Sequence, residues 1–253
     1  MPTDIALYGS LAVIVLLMLT QATFYLWPPF RSEGHSRWLD VSAGTALAYV
    51  FAHLLPKLAS SQEKFTGVPV SEAAGYLRHH VYLIALAGLV FVYWLETATE
   101  RAAAGTATRA GTANWAPWLL IGGYGFYFMQ LGYLLADMPR PEPLSYLLVG
   151  LVLGLHVMGI AHGLRSMNPP RYQRVLRWVY PTTTLTGWLI GVLTVLPATV
   201  VLLFSAFIAG GIIVIAIREE LPGDHHANFP VFLTSVTLTS MAILLVHELQ
   251  TGP

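Results

Sequence analysis

The chain has 253 residues, 55% of them hydrophobic and only 10% charged, which is too apolar for a water-soluble domain of this size. Its thirteen basic and thirteen acidic residues balance and are scattered, so no surface suited to nucleic acid is expected. There is no cysteine, which excludes disulfides, thiolate metal sites, iron–sulfur ligation and cysteine catalysis, so a metal would have to be held by His, carboxylate, amide, carbonyl or water.

A bilayer core of about 30 Å takes roughly 20 mostly apolar residues per helix. On that ruler the sequence predicts an all-α polytopic membrane protein with the lipid bilayer as its solvent and about eight spans. They fall at residues 5–27, 38–58, 80–98, 115–136, 143–165, 178–196, 198–218 and 229–249. The opening MPTDIALYGS lacks the positive lead of a cleaved signal peptide, so the first apolar run is expected to be a retained helix. From Trp178 to Ile217 the chain is nearly one apolar run. About 40 residues at 1.5 Å each would reach roughly 60 Å, twice the bilayer core, so the run should fold back, with Pro197 at the corner. Residues 59–79 read as an outer loop, and the small, polar stretch 99–114 as a flexible cytoplasmic linker. This divides the chain into a first three-helix repeat (1–98), the linker (99–114), two central helices (115–168) and a second three-helix repeat (169–253).

Basic residues in the connections set the orientation. With the N-terminus outside, the inward connections hold Arg31, Arg37, Arg101, Arg109, Arg165, Arg171, Arg174, Arg177 and Arg218, and the outward ones Lys57, Lys64, Arg78 and Arg140. Nine against four favours a plasma or inner membrane protein with both termini outside the cytoplasm.

Two stretches far apart say nearly the same thing. Ala43 to Pro56 reads AGTALAYVFAHLLP and Ala209 to Pro222 reads AGGIIVIAIREELP, each an Ala-Gly pair, an apolar run and a Leu-Pro. His53 and Glu219 both fall nine residues past their glycine. A second apolar run follows each copy and ends in an acid, Glu96 and Glu248. On the topology above the two copies run in opposite directions, the mark of the inverted repeats used by alternating-access transporters.

Ionisable residues inside membrane helices are costly and become functional candidates. The fifth span, LSYLLVGLVLGLHVMGIAHGLRSMNP, carries His156 near mid-membrane, His162 nearer the cytoplasm, and glycines that permit close helix approach. Six residues at about 100° each leave the two imidazoles roughly 120° apart, so they suit successive positions along a path better than one shared ion. In the fourth span Gln130 is the mid-membrane polar group, with Tyr124, Tyr127 and Tyr133 nearby, and it is expected to act as interhelical glue or as a ligand. Asp137, at the outer end, is expected to be solvated. The pairs His79 and His80, His225 and His226, and His247 with Glu248 lie at span ends or in connections.

AGTALAYVFAHLLP, HHVYLIALAGLVFVYWLE and AGGIIVIAIREELP resemble the second, third and seventh helices of the ZIP (Zrt/Irt-like) family of divalent-metal transporters. The resemblance implies a ZIP-like arrangement of three, two and three helices and a cation path between the fourth, fifth and seventh. The departures fall among the family's ligands. With Gly132 aligned to a family glycine, Tyr127 stands where a His is expected and Leu131 where an acid is expected, while Val157 and Ile160 interrupt the fifth-helix ligand pairs. The resemblance then implies a sparse site of His156 and Gln130, His53 as an outer relay, and His162 with Glu219 towards the exit. Its cargo would be Zn2+ or another divalent cation, and no enzymatic activity is expected. The rival reading is a non-transporting ZIP-like scaffold, regulator or subunit, with a homodimer or membrane-protein partner. Haem between His53 and His156 or His162 would need equal membrane depth, which this topology denies. An intramembrane hydrolase would need G-x-S-x-G, H-E-x-x-H or paired mid-membrane acids, none of which is present.

Overall fold

The computed structural model describes residues 4–27, 37–64, 80–103, 112–138, 142–167, 169–220 and 228–251. They are helical throughout apart from short connections, with no strand among them. The helices are α1 (Asp4–Thr23), α2 (Arg37–Tyr49), α3 (Leu55–Lys64), α4 (Val81–Ala103), α5 (Thr112–Ala136), α6 (Pro143–Met167), α7 (Arg177–Leu193), α8 (Ala198–Ile215) and α9 (Phe229–Thr251). Among the described residues six helical stretches are long and apolar enough to cross a membrane: Asp4–Leu26, Arg37–Ser60, Val81–Ala98, Pro143–Ser166, Ala198–Arg218 and Phe229–Glu248. The chain is therefore read as an integral membrane protein. The expected fourth and sixth spans, in α5 and α7, are helical but not in that set. α7 has only 17 residues and carries Pro181 and a run of threonines, so its apolar length is short.

Several boundaries move outward from the sequence expectation. Helix continues through Pro56 to Lys64, five residues of the stretch 99–114 extend α4, and α5 begins at Thr112. The rest of that linker, residues 104–111, and the remainder of the 59–79 loop, residues 65–79, lie outside the described residues. The fold-back between α7 and α8 is at residues 194–197, where extended Pro197 (φ −55°, ψ 138°) precedes α8.

Four helix pairs pack closely, and in each the contacting residue numbers rise together, so the partners are parallel. Between α1 and α6, the Tyr146 hydroxyl donates to the Ala6 carbonyl at 3.3 Å, and a Cβ on Gly150 or Gly154 would touch Val13 or Leu16. Between α5 and α7, Gly125 faces Thr183, Gly187 the Met129 carbonyl and Gly191 Tyr133. In the α2–α9 pair, Asp40 accepts from the Asn228 N–H at 3.2 Å, Gly44 abuts Phe232 and Ser235, and Thr45 meets Thr239 at 3.4 Å. In the α4–α8 pair, Gly88 abuts Phe207, and Gly211 faces Val92. Without a hydrophobic drive between helices in lipid, close backbone approach at glycine is the main route to such packing. α1 and α7 run the other way: Ser10 accepts from the Trp188 indole at 3.0 Å, and Gln21 donates to Thr184 at 3.2 Å.

Besides a π turn at Tyr172–Leu176, just before α7, a pair of π turns interrupts these helices at matching places. Val50–Leu54 links α2 to α3, with the Leu55 N–H reaching the Val50 carbonyl, and Ala216–Glu220 follows α8. Each starts six residues past its glycine, Gly44 or Gly210. The cause in the first copy is Pro56: a helical proline has no N–H and crowds the carbonyl four residues back, and widening the preceding turn relieves both. Pro222 has the same offset in the second copy and lies outside the described residues.

Candidate functional site

A cavity of about 400 Å3 lies between the Tyr49–Leu58 segment, α5, α6, α8 and the α7–α8 connection. Along α8 it runs from Ala198 to Ile212, roughly 20 Å at 1.5 Å per residue. It opens at the end where α5 and α7 finish and α6 and α8 begin, since Val195 on its rim is 93% exposed. Leu131, Leu153 and Ile212 are at its deep end, and most of its wall is aliphatic. The polar groups are few. Tyr49, His53 and Lys57 occupy successive turns of one wall, with the Tyr49 and His53 rings stacked at 5.1 Å, while Asp137 and Ser205 stand on other walls. Asp137 stands at the mouth, where partial desolvation by the cavity walls raises its carboxyl above the ordinary value and Lys57 opposes that rise.

One turn beyond the deep end is a closed polar pair. The hydroxyl of buried Tyr127 is 3.0 Å from Nε2 of His156, which is 1% exposed. Gly211 lets the Tyr127 ring approach α8, because a Cβ there would be 3.1 Å from it. A further turn along α5, the Tyr124 hydroxyl donates to Glu96 Oε1 at 2.9 Å. Glu96 is fully buried, and Arg218, in the second π turn, approaches its other oxygen at 3.6 Å. Arg218 also donates to the Thr97 hydroxyl at 3.1 Å and stacks over Tyr93 at 4.9 Å. Three polar levels are thus strung along α5: the open cavity, Tyr127 with His156, and Tyr124 with Glu96 and Arg218.

The predicted site residues fall on several different elements. His53 is on the cavity wall, in the first π turn. His156 lies below the cavity, and its Nε2 is engaged by Tyr127. His162 is partly buried, six residues further along α6. Gln130 is buried at 2% exposure, and its Oε1 finds no hydrogen-bond partner among the described residues. Glu219 is in the second π turn, but its side chain lies outside the described set, as do residues His79, His225 and His226. Among the described residues no three His, Asp or Glu side chains converge where a metal ion could be held. Sequence reasoning missed the Glu96–Arg218 pair and the role of Tyr127. The available signal was that Glu96 and Arg218 each end an apolar run.

The chain matches no protein-family model, no curated protein and no solved structure. The ZIP resemblance therefore rests on its own residues.

Proposed function

We propose that this protein is a membrane transporter of ZIP-like architecture, built as an inverted repeat, that carries a zinc-like divalent cation between α5, α6 and α8. The observation that carries this reading is the cavity, which is open at one end and stops one turn short of the Tyr127–His156 pair. A compartment that approaches an interior imidazole from one side is what half of an alternating-access path would look like. The repeat is supported by the packing: exchanging α1 with α7, α2 with α8, α4 with α9 and α5 with α6 turns each close pair into another. Because α1 and α7 are antiparallel, that exchange needs an axis across the helices, as in an inverted repeat. In this scheme His53 is the outer relay, His156 with Gln130 the central position, and His162 with Glu219 the inner relays. Neutral imidazole suits zinc and similar late transition metals.

A second reading, a non-transporting ZIP-like scaffold or subunit, is favoured by the same hydrogen bond, since a Tyr127 hydroxyl on Nε2 competes with any cation. Zinc and cadmium uptake into liposomes carrying the purified protein separates the two. Transport predicts saturable flux that His156→Ala abolishes and that Tyr127→Phe, by releasing Nε2, preserves or raises. Folded protein giving no flux above empty liposomes, in the native chain and in Tyr127→Phe, would sink the transport reading.

A further inference from the structure

We propose that the cavity binds a single-chain amphiphile with a monoanionic head, a long-chain carboxylate. This goes beyond cation transport and does not depend on it. The volume of about 400 Å3 is within the range of roughly 300–1,000 Å3 typical of small-molecule sites. The shape is a slot roughly 20 Å deep, counted along α8 from Ala198 to Ile212. Its wall around Leu131, Leu153 and Ile212 is aliphatic, and beside it the Tyr49 hydroxyl alone could replace a little of the water around an ion, whereas an alkyl chain needs no such group. A cation would cross this depth with its own water shell, whereas an aliphatic tail is held by the wall itself.

The head group follows from the polar stripe. Tyr49, His53 and Lys57 offer an O–H, a ring N–H and an ammonium on one wall, rising from mid-depth to the mouth. These donors are spread over about 12 Å of wall, so a compact head meets one level at a time, and the Lys57 ammonium at the mouth favours a group that only accepts and carries negative charge. Asp137 across the mouth limits how much charge is tolerated, so a carboxylate with one charge is preferred over a phosphate carrying up to two. The tail contributes little selectivity, because lipid offers it a similar environment. Discrimination comes from the head.

The test uses the full-length protein in nanodiscs of zwitterionic lipid, with chelator present so that no divalent cation takes part. A dansyl-labelled undecanoate is bound and then displaced by dodecanoate or dodecanol. Dodecanoate should displace it about tenfold better than dodecanol, a charge-assisted contact's worth of discrimination. Lys57→Gln, at an exposed position that does not threaten folding, should erase that preference, and Leu153→Trp, which fills the slot, should abolish probe binding. Equal displacement by the acid and the alcohol in the native protein would overturn the proposal, as would a native-like preference in Lys57→Gln. A probe signal unchanged in folded Leu153→Trp would show partition into lipid and would overturn it too. Failure here leaves the cation reading standing, and absent cation flux leaves this one standing.

Discussion

Burying a carboxylate completely is tolerable only when hydrogen bonds and an opposite charge surround it, and Glu96 has both. Tyr124 donates to one oxygen and Arg218 faces the other, while Arg218 itself is 26% exposed and reaches the edge of the bundle. The two partners are therefore not equivalent. Arg218→Ala leaves a fully buried carboxylate without its counter-charge and should destabilise the protein by about 3–5 kcal/mol. Glu96→Gln keeps an acceptor for Tyr124 and leaves an arginine that can turn to water, so it should cost about 1 kcal/mol. Thermal unfolding of both variants in one detergent checks the order, and an equal loss would show that the ion pair does not dominate. Each residue is legible in the sequence as the charged end of an apolar run, yet their meeting is not, because 122 positions separate them. The same limit applies to His156. Its burial could be read from the span around it, but its Tyr127 partner is supplied by another helix.

At the scale of the helices, glycine and proline positions carry most of the design, and these are sequence-visible. A Cβ on Gly187 would collide with the Met129 carbonyl, and one on Gly132 with the Thr184 carbonyl, so the α5–α7 contact is backbone against backbone. Gly122, on the same α5, meets nothing within 4 Å. Gly187→Leu should force the pair apart and cost about 3 kcal/mol or more, because rigid backbone cannot yield to the added volume. Gly122→Ala should be neutral or stabilise by up to about 1 kcal/mol through helix propensity. Denaturation of the two variants side by side is the measurement, and equal effects would refute the packing argument. The apolar runs were long enough to be read as helices, and the paired Ala-Gly and Leu-Pro signals marked a repeated segment. What those signals do was not readable. The glycine admits a parallel neighbour and the proline widens the turn before it, consequences of three-dimensional crowding rather than of composition. Helix ends were misjudged for a related reason: Lys64 and Ala103 extend helices beyond the apolar run, which marks the membrane and not the end of the backbone hydrogen bonds.

For the whole molecule, the parallel pairs α1–α6, α5–α7, α2–α9 and α4–α8 fix which helix ends lie together, so a single accessible site on one side determines the sidedness of the bundle. Asp137 and Val195 mark the end where the cavity opens, while Ser166, exposed near the end of α6, marks the opposite one. The excess of arginine near the Ser166 end, with Arg165, Arg171, Arg174, Arg177 and Arg218, predicts a cytoplasmic placement for that end under the positive-inside rule. The absence of cysteine makes each introduced thiol unique. A membrane-impermeant maleimide applied to intact cells should label Asp137→Cys but not Ser166→Cys, which should react only after permeabilisation. Leu202→Cys, on the cavity wall, should react from the same side as Asp137→Cys, and more slowly because its side is nearly closed. Labelling of Ser166→Cys in intact cells would invert the orientation and turn the cavity towards the cytoplasm. If Leu202→Cys reacted from both sides, the floor formed by Leu131, Leu153 and Ile212 would be a moving barrier, opening and closing during the lifetime of the experiment. Reaction from one side alone would make it a seal, and the cavity a binding pocket with a single mouth.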